Sequence, residues 1–366
     1  MLPSDRRRHI VDRDPSTAIV NPTSGAAAVD LGRAVAEQVG RVIVGKADQT
    51  RLLTVALLAD GHVLLDDVPG VAKTLLVRTL SAALGLSFSR IQCTADLLPA
   101  DVTGSLIYDQ KRGEFEFRPG PLFANIVLAD EINRATPRTQ SAFLEAMEER
   151  GVTVDGTTHA LPLPFMVLAT QNPVELKGTF PLPEAQVDRF LLCLRMGYPS
   201  HDDETLMLER FRTGDPLAEV RAVAGANDLA VVRAAVRAVH VAGDVARYIV
   251  ALTRATRETP LLRLGASPRA SLALQHSAQA AAALAGRDFV TPDDVQALVE
   301  PVLAHRLLLA RDAAIDGRSG ADVLREVVAA VPVPAEGGED ETDGPRGEAE
   351  PAAGKPSAGE GTSAAV

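Results

Sequence analysis

The sequence predicts an α/β protein, with a parallel sheet covered by helices on both faces, followed by an all-α domain. Three observations carry this. Short apolar runs alternate with helical patterns up to about Pro199. The stretch from Leu64 to Leu76, LLDDVPGVAKTLL, runs apolar strand, Pro/Gly loop, Lys-Thr and apolar helix. Beyond Pro199 the chain turns to Ala, Val, Leu and Arg at helical spacing.

The elements follow in order. Residues 1–28 are polar, contain Pro and Ser, lack periodicity and read as a mobile arm. A helix is expected from Asp30 to about Val39, then a short loop, a long helix and a strand at Val63–Leu65. The Lys-Thr loop opens a helix reaching about Leu84, and SFSRIQCT reads as the next strand. Residues Ser105–Phe117 alternate on both sides of a Gly-containing turn, which predicts a β-hairpin. NIVLAD and FMVLATQN are buried strands, because continuous apolar runs suit a sheet covered on both faces. Between them lies a helix with Thr136 as N-cap, Pro137 at its first position and Gly151 beyond its end. In the second half, Ser267 and Thr291 are cap residues, each followed by Pro. The expected division is 1–28 arm, 29–199 α/β core, 200–331 helical lid and 332–366 disordered acidic tail.

Charge narrows the function. The net charge is −11, and residues 335–366, with eight acids and two bases, contribute −6, leaving −5 for the rest. Neither part has the basic excess of a general nucleic-acid binder, and aromatics are only 4%. Cys93 and Cys193 are far apart, outside any C-x-x-C, and read as small buried hydrophobes in a reducing cytosol. No secretory leader and no transmembrane run is expected, so the placement is cytoplasmic. His240, His276 and His305 read as ordinary helix residues.

The chemistry lies in five segments. A phosphate-binding loop aims backbone N–H groups and a helix N-terminus at phosphate oxygens. Here Asp67, Val68, Pro69, Gly70, Val71, Ala72, Lys73, Thr74 and Leu75 form it, with Lys73 placed for the β/γ-phosphates and Thr74 for Mg²⁺. Asp67 and Ala72 stand where the G-x-x-x-x-G-K-[ST] pattern has glycine. An apolar strand ending in Asp130-Glu131 fits one carboxylate for the Mg²⁺ shell and one to polarise water, on the strand expected beside that of the loop. VLATQNP ends a strand with Asn172, which could hold the attacking water or cap a turn. LPEAQVDRF carries Arg189 and GASPRA carries Arg269, groups suited to neutralising charge in phosphoryl transfer.

Together, VPGVAKT, DEINRATPRTQSAFLEAMEE, ATQNP, PLPEAQVDRF and GASPRA resemble the MoxR family of AAA+ ATPases over about residues 30–330. The resemblance implies an AAA+ αβα P-loop core with a hairpin insert, a helical lid, and ATP with Mg²⁺ as cofactors. It implies Thr74 and Asp130 at the metal and Glu131 as catalytic glutamate. Asn172 would be sensor 1, Arg189 an arginine finger on a neighbour's nucleotide, and Arg269 a sensor 2 acting from the lid on its own nucleotide. Val44 and Gly45 lie where the family contacts adenine. A homo-oligomer, expected as a hexamer, is implied, with a von Willebrand factor A-domain partner and an unnamed protein client to be remodelled, activated or matured. The alternatives are a nucleic-acid motor touching phosphates through Lys111 and Arg112, and a weakly hydrolysing ATP sensor. In this family the loop commonly reads G-[VL]-A-K-T, so Ala72 is typical, and helical dihedrals are expected for it. Asp67 departs from the family; a positive φ there would cost about 1 kcal/mol, and its carboxylate is expected to reduce ATP affinity.

Overall fold

The central strands alternate their side chains between two apolar cores, as period-two geometry requires. The computed structural model describes residues 25–66, 70–171, 178–212 and 214–334. Helices α1 (Gly25–Val42) and α2 (Ala47–Leu58) precede β1 (Val63–Asp66), and α3 (Lys73–Ala83) follows it. Then come β2 (Phe88–Gln92), α4 (Pro99–Thr103) and the hairpin of β3 (Gly104–Asp109) and β4 (Glu114–Pro119). The core continues with β5 (Ile126–Asp130), α5 (Pro137–Glu149), β6 (Gly151–Val154), β7 (Thr157–Ala160), β8 (Met166–Gln171), α6 (Glu184–Val187) and β9 (Leu192–Leu194). Helices α7 (His201–Arg210), α8 (Ala226–Arg237) and α9 (Gly243–Glu258) lead to β10 (Leu262–Leu264) and α10 (Pro268–Leu284). The region closes with α11 (Pro292–Leu303), β11 (Leu308–Leu309), α12 (Arg311–Ile315) and α13 (Gly320–Ala330).

The five-stranded sheet is parallel throughout, in the order β2-β5-β8-β1-β9. The acidic strand β5 is therefore not beside β1, as expected from the sequence; β8 lies between them. Val63, Leu65, Ile126, Leu128, Met166 and Leu168 face one core, which runs on into α1, α2, α3 and the helical region. Leu64, Val127, Ala129, Val167 and Ala169 face the other, under Phe143 and Met147 of α5. Because the first core is shared, the described residues from 25 to 334 cluster as one compact unit.

Several local expectations shift. Helix α1 starts at Gly25 rather than Asp30, and Ala27 and Ala28, assigned to the arm, are buried. Residues 1–24 and the acidic tail from Ala335 lie outside the described residues. The β6–β7 hairpin was not expected, although VDGT carries the Asp-Gly signal of a two-residue turn. Helix α5 ends on Arg150 in the left-handed region (φ 52°), with Gly151 already opening β6. The guanidinium of Arg150 donates to the carbonyls of Asp60 and Phe165, which anchors that conformation. The helical region also holds a two-stranded ladder, β10–β11. Thr291 caps α11 as expected, accepting from the Asp294 N–H.

Candidate active site

The carboxyl ends of β1, β2, β5 and β8 converge on one edge of the sheet, the usual ligand edge of an open parallel sheet. There a cavity of about 500 Å³ is lined by Gly70, Lys73, Thr74, Asp130, Glu131 and Arg90, with Ala72, Leu75, Thr170 and Gln171 completing much of the wall. Lys73 is the first residue of α3, so the amides of that helix N-terminus open onto the cavity. Gly70 takes φ +86°, and a Cβ there would meet nothing within 4 Å, so its glycine serves the dihedral rather than a close approach. Ala72 corrects the expectation of helical dihedrals. It sits in the left-handed region at φ 59° and ψ 23°, which explains why the motif has glycine at this position.

The acidic wall is built from three strands. Asp130 accepts from Thr170 Oγ1 (2.7 Å) and from Arg90 (2.6 Å), and Thr170 Oγ1 also accepts from the Glu131 N–H (2.7 Å). Glu131 is left-handed at φ 57°, a strained setting that turns its carboxylate off the strand line. Gln92 Nε2 donates to Glu131 (3.1 Å), and Arg134 stands 3.2 Å from it. Oxygen donors from Thr74 and Asp130 on one cavity suit a hard divalent cation. Asp66 does not line the cavity; it faces Arg195 at 3.5 Å, so it adds no acid to that wall. Val71 is buried in the core and can serve the loop only through its backbone. Asp67, Val68, Pro69 and Asn172 lie outside the described residues. Val44 and Gly45 sit on the α1–α2 loop; a Cβ on Gly45 would come within 2.4 Å of Asp203, and neither residue lines the cavity.

Arg189 and Arg269 are brought together elsewhere. They line a second cavity, of about 290 Å³, that shares no residue with the first. One carboxylate bridges them: Glu148 is 2.6 Å from Arg189 and 2.6 Å from Arg269. Arg269, expected to reach its own nucleotide, thus lines the cavity of Arg189 and not that of Lys73 and Thr74. Its place follows from Ser267, which does not cap α10 with its side chain but donates to Asp188 (2.9 Å), drawing the start of α10 onto the Arg189 segment. Buried Arg306 pairs with the other oxygen of Asp188 and donates to the Phe190 carbonyl (2.6 Å). His305, expected as an ordinary helix residue, lies in a 3-10 turn and bonds the same carbonyl. Burial, and then Arg306, pushes its pKa down to about 3.

His62, which also lines this cavity, is buried, accepting from the Val167 N–H (2.9 Å), with Arg150 at 2.8 Å. Burial, and then Arg150, lowers its pKa to about 3. Burial pushes both Cys93 and Cys193 up to about 12, so both remain thiols with little nucleophilic character near neutrality. At the hairpin tip Arg112 lies 3.9 Å from Asp109, so the basic pair weighed as a phosphate contact is partly offset within its own turn. Arg90, Gln92, Thr170 and Glu148 were not singled out from the sequence. Arg90 and Gln92 carried a signal, since they share one face of a predicted strand, but only the strand order places that face against Asp130.

Known proteins share this fold. Residues 62–192 match the ATPase family associated with various cellular activities (AAA), and residues 254–327 match the AAA lid domain. The chain is 45% identical to Chaperone MoxR1 of Mycobacterium tuberculosis, over 83% of this chain and 82% of that protein. It is 32% identical to Protein MoxR of Methylorubrum extorquens (81% and 93% covered) and 52% identical to the uncharacterized YeaC of Bacillus subtilis (83% and 95% covered). A crystal structure of a proposed ATPase from Cytophaga hutchinsonii superposes with a TM-score of 0.80 at 38% identity, covering 85% of this chain and 97% of that one. A P-loop core with an AAA lid makes this an ATP-binding AAA ATPase, and the chain belongs to the MoxR family within that class. Proteins of the AAA class commonly act as oligomers. Among the described residues no helix is long and apolar enough to cross a membrane.

Proposed function

We propose that this chain hydrolyses ATP at a site shared between neighbouring copies, and uses the cycle to remodel, activate or mature client proteins. The observation that carries this is the separation of the two cavities. Lys73, Thr74, Asp130 and Glu131 line one, and Arg189 and Arg269 line another. An arginine pair remote from its own P-loop gains a role in hydrolysis when it faces the P-loop of a second copy.

In this reading Lys73 and the first amides of α3 bind the β/γ-phosphates. Thr74 and Asp130 would hold Mg²⁺, which would supply neutralisation of phosphate charge. Glu131 accepts a proton from the attacking water, and Asn172 orients that water. Arg189 and Arg269 of the adjacent copy neutralise charge developing on the transferred group. Val44 and Gly45 contact adenine, and Asp67 weakens ATP binding by repulsion. Core and helical region share one apolar core and the Asp188 contacts, so a change at the nucleotide has a physical route to the lid. A closed ring, a hexamer, satisfies every such site at once, since head-to-tail contacts that close leave none unpaired. The reading includes a cytoplasmic setting and a von Willebrand factor A-domain partner.

The test is ATP hydrolysis with Mg²⁺ against protein concentration, for wild type and Arg189→Ala. Specific activity that rises with concentration, and a dead variant, support the shared site. An Arg189→Ala protein with wild-type activity at every concentration refutes it.

A further inference from the structure

The last turn of α5 breaks a local rule. A helix C-terminus carries partial negative charge and favours Lys or Arg in its final turn. Helix α5 instead closes its last turn on Met147-Glu148-Glu149, and the basic residue at its C-cap, Arg150, is turned away to the carbonyls of Asp60 and Phe165. Rules of this kind are broken chiefly at working sites, where another interaction offsets the cost. For Glu148 that interaction is a pair of guanidinium groups from two distant parts of the chain. Arg189 comes from the segment after α6, and Arg269 from the first turn of α10.

Two guanidinium groups placed side by side repel each other, so the pair exists because an anion lies between them. Glu148 is that anion. Its two oxygens are divided between the arginines, at 2.6 Å each, rather than chelating one. Arg189 Nη1 also donates to the Leu144 carbonyl (3.2 Å), one turn before Glu148 on the same helix, so α5 fixes that guanidinium at two points. Each guanidinium offers five N–H donors in a rigid fork, and Glu148 engages one nitrogen of each, which leaves the fork able to meet a second anion. The cavity they line has three carboxylates, and all are held: Glu148 by the pair, Asp188 by Ser267 and Arg306, and Asp60 by Arg150 and Arg233.

We infer that Glu148 is a positioning residue for the ATPase reaction, holding Arg189 and Arg269 as one preformed anion-binding fork for the terminal phosphate of ATP bound by a second copy of this chain. This rests on the shared-site reading above. The fork's energetic value is preorganisation. Two long, partly exposed arginines are ordered before the nucleotide arrives, instead of during the transition state. Glu148 touches neither substrate nor metal in this role, so its loss lowers turnover without weakening nucleotide binding by the P-loop.

Complementation between full-length subunits tests it. One subunit carries Glu131→Gln, with its arginines intact but hydrolysis disabled. The other carries Arg189→Ala and Arg269→Ala, with its P-loop and Glu131 intact. Each alone is expected to be inactive, and the mixture is expected to hydrolyse ATP. Adding Glu148→Ala to the Glu131→Gln subunit is expected to lower kcat of the mixture about 10- to 100-fold, the effect of misplacing a catalytic group by about 1 Å, with KM for ATP within about 2-fold. Glu148→Gln, which keeps the shape and loses the charge, is expected to fall between, and guards against a simple failure of Glu148→Ala to fold. If the parental pair complements and Glu148→Ala and Glu148→Gln both leave kcat unchanged, Glu148 has no positioning role while the shared site stands. A KM that rises while kcat holds likewise overturns it. If the parental pair fails to complement, the shared site falls, and this inference falls with it.

Discussion

Replacing Ala72 by glycine should do the opposite of what the same change does in a helix. In the left-handed region an L-residue costs about 1–2 kcal/mol relative to the right-handed helix. Ala72 sits there at φ 59° and ψ 23°, immediately before Lys73. Glycine removes that strain but gives back about 0.5–1 kcal/mol of chain entropy to the unfolded state. The balance for Ala72→Gly is therefore from about zero to about 1.5 kcal/mol of added stability. Exposed Ala230, inside helix α8, supplies the control. There Ala230→Gly should cost about 1 kcal/mol. The chain has no tryptophan, so urea unfolding is best followed by far-UV circular dichroism of the two variants beside wild type. Equal losses in the two variants would show that Ala72 has ordinary helical dihedrals, and that the strain argument is wrong.

Four further outcomes are expected. Lys73→Ala should abolish ATP binding measured by calorimetry, and retained micromolar binding would remove Lys73 from the phosphate site. Glu131→Gln should bind ATP while turnover falls about 100-fold or more, the scale of a lost general base, and undiminished turnover would assign the base elsewhere. Arg306→Met should destabilise the fold by about 3 kcal/mol, because it leaves Asp188 and the Phe190 carbonyl without their buried partner. A melting point equal to wild type would show that the Asp188 contacts do not tie core to lid. Stability should also fall with acid between about pH 6.5 and 3. His62 and His305 stay neutral in the fold down to about 3, while the unfolded chain takes up their protons from about 6.5. Each ring then removes roughly 1 kcal/mol per pH unit across that window, with none of this loss above it. Urea midpoints that stay flat from pH 6.5 to 5 would mean that the rings are solvated.

What could be read from the sequence followed from local rules. Continuous apolar runs marked β1, β5 and β8 as strands buried on both faces, and Thr136, Pro137 and Thr291 marked helix starts. Lys73, Thr74, Asp130 and Glu131 could be singled out as candidates because phosphate and metal chemistry needs those side chains at strand ends beside a helix N-terminus, and the fold brings all four to one cavity. The order β2-β5-β8-β1-β9 was not legible, since period and propensity say what an element is but not which element it lies beside. Without that order, Arg90, Gln92 and Thr170 could not be set against Asp130 and Glu131. The sign of φ at Ala72 was likewise hidden, because alanine is a good helix former and no local pattern marks it as left-handed. Arg189 and Arg269 were legible as arginines in telling segments. That they share one carboxylate, away from their own P-loop, was decided by the contact of Ser267 and Arg306 with Asp188, groups about 80 and 120 residues apart in the chain. Local sequence thus determined the elements and the candidate groups, and tertiary packing decided which groups meet, because long-range contacts depend on how buried faces are matched.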